Sequence, residues 1–368
     1  MGDIRPFRIA IADEDLADLR DRLRRVRFPE RQCVDDWSQG IPLDYVRELA
    51  GYWQSDYDWR AREARLNAFE QFITQVDGID IHFIHRRSDN PDARPLVITH
   101  GWPGSVAEFS KVIEPLSADF HLVCPSLPGY GFSGKPTATG WTIERIAAAW
   151  DTLMRRLGYD RYGAQGGDWG AAVTTQLGRS GSGCIAIHTN MPIALPAGPL
   201  DDPSADEQEA LAAAAHYQKW EAGYSKQQAT RPQTIGYGLA DSPVGQMAWI
   251  VEKFQAWSDC DGHPENIFSR DELLDNVMIY WATNSGASSA RLYWESFGAM
   301  AGGGKVAVPT GVARFPKEIL KAPRSWCEKG YNIVHWTDMP RGGHFAAYEQ
   351  PELFIEDVRT FFRTAVPW

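Results

Sequence analysis

The sequence has few cysteines, no excess of positive charge and no repeated segment, and each shortage excludes a class of protein. Its five cysteines lie far apart and form no CxxC pair, which argues against a disulfide framework or a zinc site and predicts a reducing, cytoplasmic location. Lys and Arg total 37 and Asp and Glu total 48, which gives a net charge of −11. Because nucleic acid requires a basic surface, we expect no nucleic-acid partner.

The sequence also offers little that could enter a membrane. Residues 1–30 are densely charged and contain no apolar core of a signal peptide. The longest uncharged stretch that could be mistaken for a span, residues 180–200, contains three prolines as well as His188 and Asn190. We therefore expect no membrane anchor, while a homo-oligomer stays open.

Aromatic residues, by contrast, are abundant. The chain of 368 residues contains 15 Trp, 13 Tyr and 16 Phe, too many large rings for a disordered chain. We expect several of them to line a cavity, and we expect Trp37, Trp53 and Trp59 near the N-terminus to be structural.

Apolar periodicity predicts an α/β fold with a helical insertion. The first 70 or so residues have helical spacing; the first helix would be capped by Asp13 and stopped by Pro29, with an apolar face of Leu16, Leu19, Leu23 and Val26. A hairpin is predicted at 72–85 around Asp77-Gly78. Strands are predicted at 95–99, 121–124, 161–165, 184–188, 305–308 and 332–336, with helices at 143–157, 170–177 and 351–363.

This alternation indicates a parallel sheet covered by helices. We divide the chain into an N-terminal region (1–75), a first part of the core (76–190), a helical cap (191–304) and a second part of the core (305–368).

Two motifs suggest a cofactor or a metal and are rejected. Residues 129–134 (GYGFSG) match the dinucleotide fingerprint, but Pro136 follows where a helix should open. His82 and His85 lie three apart on a predicted strand and so point to opposite faces. We expect neither a cofactor nor a metal ion.

The segment Gly166-Gly167-Asp168-Trp169-Gly170 has the pattern of a nucleophile elbow between a weak strand and a helix. Its central carboxylate could attack carbon and form an ester. Alternatively, Asp168 caps the following helix and the glycines form a loop. Taken alone, the motif leaves both interpretations open.

Two further segments complete a possible active site. Residues 100–105 (HGWPGS) follow a strand like the loop that supplies an oxyanion-hole donor, so the backbone N–H groups of Trp102 and Trp169 form the expected pair; an ordinary turn is the alternative. His344, in the glycine loop 341–345, is placed as the base. The acid is Glu318 or Asp338, and we prefer Glu318, 26 residues before His344.

These motifs resemble those of the microsomal-type epoxide hydrolases over nearly the whole chain. The resemblance is carried by residues 6–30, 100–105 (HGWPGS), 125–133 (PSLPGYGFS), 166–170 (GGDWG), 309–319 (PTGVARFPKEI) and 341–352 (RGGHFAAYEQPE). It implies an α/β-hydrolase core with an inserted helical cap and an N-terminal region that wraps it. It also implies that Asp168 is the nucleophile, Glu318 the acid and His344 the base, and that Tyr224 and Tyr293 of the cap hydrogen-bond the epoxide oxygen.

The activity that this resemblance implies is conversion of an epoxide to a vicinal diol through an ester on Asp168, without a cofactor. Pro103 and the indoles of Trp102 and Trp169 are expected to contact the substrate. Further rings in the cap suggest an apolar or aromatic epoxide, in detoxification or in natural-product biosynthesis: Trp220, Trp249, Trp257, Trp281 and Trp294. The alternatives are a haloalkane dehalogenase-like hydrolase and a non-catalytic ligand-binding relative.

Overall fold

The computed structural model describes residues 3–181, 183–196, 198, 200–299, 303–366 and 368. Within these residues, nine strands form one sheet in the order β1-β2-β3-β5-β4-β6-β7-β8-β9. The strands are β1 (Ile4–Phe7), β2 (Gln71–Val76), β3 (Ile79–Arg86), β4 (Arg94–Thr99), β5 (Phe120–Pro125), β6 (Tyr162–Gly166), β7 (Cys184–Thr189), β8 (Pro309–Arg314) and β9 (Asn332–Asp338).

Helices surround this sheet and fill the interval between β7 and β8. They are α1 (Asp13–Arg24), α2 (Leu43–Ser55), α3 (Trp59–Leu66), α4 (Ile113–Leu116), α5 (Ile143–Arg156), α6 (Trp169–Arg179), α7 (Ala205–His216), α8 (Gly223–Thr230), α9 (Pro232–Asp241), α10 (Pro243–Trp257), α11 (Arg270–Ala282), α12 (Gly286–Ser296), α13 (Arg324–Gly330), α14 (Ala346–Glu349) and α15 (Pro351–Thr364). Short 3₁₀ turns and one π-helical turn, Tyr217–Glu221, connect some of them.

The sheet is parallel where the site lies and antiparallel at one edge. Strands β5, β4, β6, β7, β8 and β9 run parallel, while β1, β2 and β3 form antiparallel ladders and β3 joins β5. Loops that follow parallel strands meet at the carboxyl edge of a sheet, where ligands of open α/β folds bind. The loops after β4, β6, β8 and β9 carry Trp102, Asp168, Glu318 and His344, so the topology brings distant segments together.

Two apolar layers bury this sheet on both faces. Successive residues of β4 alternate between them: Val97 packs with Trp150 of α5, whereas Leu96 and Ile98 pack with Phe361 of α15. A central parallel strand with both faces covered reads as a continuous apolar run. This explains why residues 95–99 could be predicted from sequence.

The N-terminal helices pack against the inserted helix α11 through a buried charge cluster. Arg62 on α3 forms an ion pair with Asp275, with a closest N–O distance of 2.5 Å. The hydroxyl of Tyr57 donates to the same carboxylate at 2.8 Å, and Tyr52 donates to Asp271 at 2.8 Å. These contacts fix the N-terminal region to the inserted helices.

Most predicted elements are confirmed to within two residues, including the hairpin, five of the six strands and the helices at 143, 170 and 351. The strand predicted at 305–308 is wrong. Val306 is buried, but its amide donates to the Gly330 carbonyl at 2.9 Å outside any strand, and the strand begins at Pro309. The apolar run therefore reflects burial and not sheet pairing.

The N-terminal prediction also needs correction. Residues Ile4–Phe7 form a strand at the edge of the sheet, although the region was predicted as helical. Asp13 is the first residue of α1 and not its cap; Ala12 holds the cap position without a side-chain hydrogen bond. The helix ends at Arg24, before Pro29. Trp53 and Trp59 are buried, as expected of structural tryptophans.

The division of the chain at residues 75, 190 and 304 stays a prediction, and residues 197, 199 and 300–302 of the predicted cap lie outside the described part. Among the described helices, none is both long and apolar enough to span a bilayer.

Candidate active site

Asp168 lies in a strained turn between β6 and α6. Its backbone has φ 50° and ψ −127°, a conformation that residues with a Cβ rarely adopt. A Cβ at Gly170 would lie 1.9 Å from the carbonyl oxygen of Thr99, so the turn packs tightly against β4. The Asp168 side chain makes no capping hydrogen bond to α6. The geometry therefore matches a nucleophile elbow and contradicts the helix-cap alternative.

Two backbone amides point at the Asp168 carboxylate. The Trp102 N–H donates to its Oδ1 at 2.7 Å, and the Trp169 N–H, next along the chain, helps to lower the pKa of the same carboxyl group. A Cβ at Gly101 would lie 2.2 Å from Oδ1, so this position requires glycine. The structure thus brings together the predicted pair of donors.

His344 reaches Asp168 from the loop after β9. Its Nε2 lies 3.7 Å from Asp168 Oδ2, and its Nδ1 lies 2.6 Å from Glu318 Oε1. Both His344 and Glu318 are buried. The alternative acid, Asp338, instead pairs with Arg314 at 2.6 Å on the exposed side. The geometry favours Glu318 over Asp338.

Charge and burial act against each other in this cluster. Burial raises the pKa of Asp168, while the His344 charge and the two amides oppose the rise. Burial alone would lower the pKa of His344, but the Glu318 carboxylate, with a further contribution from Asp168, raises it to about 9. The charges on His344 and Asp168 therefore stabilise each other, against the cost of burying them.

Glu349, which the sequence analysis did not single out, fixes the His344 loop. Its carboxylate accepts hydrogen bonds at 2.9 Å from the amides of Gly343 and Phe345, on both sides of His344, and from Asp259 at the end of the inserted helix α10. Burial raises the pKa of Glu349 to about 7. Its position within the RGGHFAAYEQPE motif was the available signal.

The rings of Tyr224 on α8 and Tyr293 on α12 pack against the indoles of Trp102 and Trp169, respectively. The Tyr224 ring stacks on Trp102 with centroids 4.7 Å apart and an interplanar angle of 8°. The Tyr293 ring meets Trp169 edge-on at 4.8 Å, and the two tyrosine rings are 5.7 Å apart. Burial raises the pKa of both phenols well above 10, so both are hydrogen-bond donors.

A cavity of about 350 Å³ opens on the tyrosine side of Asp168. Asp168, Trp169, Tyr224 and Tyr293 form its inner end. The remaining wall is largely apolar and includes Met191, Ile193, Leu195, Ala210, Ala214, Tyr217, Phe297, Ile319, Leu320 and Trp326. This volume is within the range of small-molecule binding sites.

Two groups of residues that were expected near the substrate do not line this cavity. Pro103 lines neither this cavity nor the smaller one described next; its carbonyl accepts a hydrogen bond from Asn276 at 2.7 Å, so it anchors the loop. None of the five cap tryptophans lines the large cavity, and Trp220 and Trp294 are exposed, because they lie on outer faces of the inserted helices. Trp102 does not line this cavity itself, but its ring packs against Tyr224 and Tyr293, which do.

A second cavity, of about 20 Å³, lies on the opposite side of Asp168. Its lining includes Asp168, His344, Trp102 and the partly buried Glu108. This volume accommodates about one water molecule. Burial raises the pKa of Glu108 to about 8. The sequence analysis missed Glu108, although it lies three residues after the HGWPGS motif.

The histidines rejected as metal ligands have other partners. His82 is buried and hydrogen-bonded to Ser126 and Gln71 at 2.9 Å each, and His85 contacts the Tyr159 hydroxyl at 3.0 Å. Burial lowers the pKa of His82 to about 3. In the described part of the chain, no cluster of His, Cys, Asp and Glu could hold a metal ion.

Comparison with known proteins agrees with this geometry. The model of the epoxide hydrolase N terminus matches residues 4–109, and that of the alpha/beta hydrolase fold matches residues 94–238. A Stigmatella aurantiaca protein, named provisionally as an epoxide hydrolase, is 51% identical over 98% of this chain and 85% of its own length.

Two further proteins that are similar to this chain are also named epoxide hydrolases. Epoxide hydrolase 1 of Oryctolagus cuniculus is 37% identical over 97% of this chain and 88% of its own length. The structure of Aspergillus niger epoxide hydrolase superposes with a TM-score of 0.90 at 35% identity, covering 98% of this chain and 96% of the other. The chain therefore belongs to the epoxide hydrolases of the microsomal type, with an α/β-hydrolase fold.

Proposed function

We propose that this epoxide hydrolase opens an apolar or aromatic epoxide in two steps, through a covalent hydroxyalkyl ester on Asp168, and releases a vicinal diol. One observation carries the proposal. Asp168 lines both an apolar cavity that the phenols of Tyr224 and Tyr293 also line and a water-sized cavity that His344 also lines. Each side holds the groups that one step needs.

In the first step, an Asp168 oxygen attacks an epoxide carbon and the C–O bond of that carbon breaks. Negative charge develops on the epoxide oxygen, in a cavity from which bulk water is largely excluded. The neutral hydroxyls of Tyr224 and Tyr293 donate to this oxygen and stabilise it. The product is an ester that carries a free hydroxyl on the neighbouring carbon.

In the second step, His344 removes a proton from water and the resulting hydroxide attacks the ester carbonyl. The Trp102 and Trp169 amides, which hydrogen-bond the carboxylate in the free enzyme, stabilise the tetrahedral oxyanion. Glu318 orients His344 and stabilises its charged form. When this intermediate collapses, the leaving alkoxide takes the proton from His344 and departs as the diol, and the Asp168 carboxyl group loses its proton to regenerate the carboxylate.

Loss of charge on Asp168 prepares His344 for the second step. The Asp168 carboxylate contributes to the raised pKa of His344 in the free enzyme. Ester formation neutralises that carboxylate, so the pKa of His344 falls and the imidazole becomes available as a base. The order of the two steps thus follows from the coupling between these two side chains.

The two alternatives fit the site less well. A haloalkane dehalogenase stabilises a halide and does not need two phenols beside the nucleophile, whereas both Tyr224 and Tyr293 line this cavity. A non-catalytic relative usually lacks part of the triad, whereas Asp168, Glu318 and His344 are all present and in contact range. The cytoplasmic location, the oligomeric state and the biological role stay predictions.

The variant His344→Gln tests the ester directly. With styrene oxide, we expect turnover to fall by about 10³-fold or more and the intact protein to gain the mass of one substrate, because the ester forms but water is not activated. Mass spectrometry of the protein after mixing measures this adduct. In His344→Gln/Asp168→Asn the adduct should be absent.

His216 on α7 is an exposed histidine outside the site, so His216→Gln provides a matched control that should turn over normally and carry no adduct. An inactive His344→Gln protein that never gains mass would contradict the ester. A second result against it would be ¹⁸O from labelled water entering the diol, and none entering Asp168, in a single turnover of the native enzyme.

A further inference from the structure

A third tyrosine, Tyr217, is hydrogen-bonded to the site. Its hydroxyl oxygen lies 2.9 Å from that of Tyr224, and the side chain is buried and lines the apolar cavity. Its neighbours along the chain, Ala214 and Gln218, are exposed and line the same cavity. Tyr217 is therefore the outermost member of a chain of phenols that leads inward to Tyr224.

A break in the helix makes this contact possible. Tyr217 and Tyr224 are seven residues apart, which in a straight α-helix is a rise of about 10.5 Å. Here residues Tyr217–Glu221 form a π-helical turn, the Ala222 amide donates to the Tyr217 carbonyl at 2.8 Å, and a new helix begins at Gly223. Such π-helical turns occur frequently at functional sites. This one directs both hydroxyls to the same point.

The two predicted phenols consequently have different surroundings. The Tyr224 hydroxyl has Tyr217 as a partner, and the Lys253 ammonium lies 5.2 Å from the Tyr224 ring centroid, where a cation favours negative charge on the phenol. The buried Tyr293 hydroxyl has no hydrogen-bond partner within the described residues. The Tyr224 hydroxyl is thus held in place by a hydrogen-bond partner, whereas the Tyr293 hydroxyl is not.

We propose that Tyr217 is a positioning residue for ring opening, whose hydroxyl donates to Tyr224 and leaves the Tyr224 proton directed at the epoxide oxygen. A phenol has one proton, so Tyr224 can donate to the substrate while it accepts from Tyr217. Hydrogen bonds in such a chain strengthen one another. This inference rests on the proposed function, because it presupposes that Tyr224 contacts the epoxide oxygen.

The protons balance over one turnover. When the alkoxide forms, it takes the Tyr224 proton, and Tyr224 takes the Tyr217 proton in turn. Hydrolysis of the ester by water then regenerates the Asp168 carboxylate and releases one proton. That proton restores Tyr217 through water in the outer part of the cavity, so the net reaction is epoxide plus water to diol.

A double-mutant cycle on kcat/KM for styrene oxide tests the proposal, since kcat/KM reports steps up to ring opening. Tyr217→Phe removes only the hydroxyl, and we expect kcat/KM to fall about 3- to 10-fold. In a Tyr224→Phe background the same change should have less than about a twofold effect, because the acceptor is gone. In a Tyr293→Phe background the full effect should persist.

Tyr237 on α9 supplies the matched control, since it is exposed on the inserted helices, and Tyr237→Phe should leave kcat/KM unchanged in every background. An effect of Tyr217→Phe that is equal with and without the Tyr224 hydroxyl, or absent in both, would overturn the proposal. Its failure is separable from that of the ester mechanism, which is judged by the adduct on His344→Gln.

Discussion

The two sides of Asp168 differ in size, polarity and origin. One side is a cavity of about 20 Å³ formed by Glu108, His344 and the loops that follow parallel strands. The other side is a cavity of about 350 Å³ whose walls come largely from α7, α8, α12 and the segments 191–195 and 319–322. The comparison shows that Asp168 lines both cavities although their other walls come from different segments.

The two cavities also differ in the contacts that hold their walls: hydrogen bonds around the small one and apolar packing around the large one. Around the small cavity, one carboxylate can accept hydrogen bonds from several backbone amides, as Glu349 does from the residues on either side of His344. On the large side, apolar side chains such as Ile193 and Phe297 pack without directional bonds. Substitutions should therefore have large effects on the small side and graded effects on the large side.

The largest effect is expected where the two sides meet, at Gly101. A Cβ there would lie 2.2 Å from Asp168 Oδ1, so Gly101→Ala should displace the carboxylate and remove the Trp102 hydrogen bond. We expect ester formation to fall by about 10²- to 10³-fold, since misplacement of a nucleophile by about 1 Å is this costly. Stopped-flow measurement of a single turnover gives the rate.

Gly51 in the helix α2 provides the control, because a Cβ added there meets no atom within 4 Å. Gly51→Ala should keep full activity and stabilise the protein by about 0.5–1 kcal/mol in urea unfolding. If Gly101→Ala were as active as Gly51→Ala, the close approach of the loop to Asp168 would not matter for the reaction.

A smaller effect, confined to one step, is expected for Glu108→Gln. Glu108 lines the water-sized cavity, so its loss should slow ester hydrolysis by about tenfold and leave ester formation unchanged. Rapid quench with mass detection separates the two rates. Glu144→Gln, on the exposed side of α5, is the control. If ester formation and ester hydrolysis slowed equally, Glu108 would not act specifically on the attack of water.

The raised pKa of Glu108 also predicts how the stability of the folded protein depends on pH. Burial raises the pKa of Glu108 from its usual value near 4.5 to about 8 in the folded protein. The folded state therefore holds this proton more tightly than the unfolded state, and stability falls as the pH rises from about 4.5 to about 8. In Glu108→Gln this decline in Tm should be shallower, as differential scanning calorimetry would measure.

The smallest effect is expected on the apolar side. Ala214 on α7 lines the large cavity, so Ala214→Phe should raise KM for styrene oxide severalfold and change KM for propylene oxide little, because only the larger epoxide competes for the space. Ala215→Phe, on the same helix but outside the lining, is the control. Equal effects on both epoxides would show that the cavity does not select by size.

The sequence predicted most of the sheet and the three side chains that meet at the candidate site, because their signals lie in short segments. Buried parallel strands such as 95–99 are continuous apolar runs, and the glycines around Asp168 form a short motif, although Gly170 is required by its contact with Thr99 on a distant strand. Tyr224 and Tyr293 came only from the family resemblance. Glu108 and Tyr217 were missed because their relevance depends on a cavity and on a π-helical turn that appear only in three dimensions.

The errors have physical causes as well. Val306 is apolar and buried but does not pair in a strand. An apolar pattern that results from burial alone was therefore taken for a strand. Asp13 begins its helix, where an acidic residue is favourable in the first turn, and this position is easily confused with the cap. Trp220 and Trp294 show that the composition of a segment does not reveal which face its rings occupy.

In the proposed mechanism, the size of the small cavity determines which molecule can attack the ester carbonyl of Asp168. About 20 Å³ is filled by one water molecule, and even the methyl group of methanol would clash with the surrounding loops. An alcohol in the solvent, although it is as nucleophilic as water, cannot take the place beside His344. An alcohol that attacked there would release the diol but leave Asp168 esterified, so walls that admit only one water molecule would keep the nucleophile free for the next turnover.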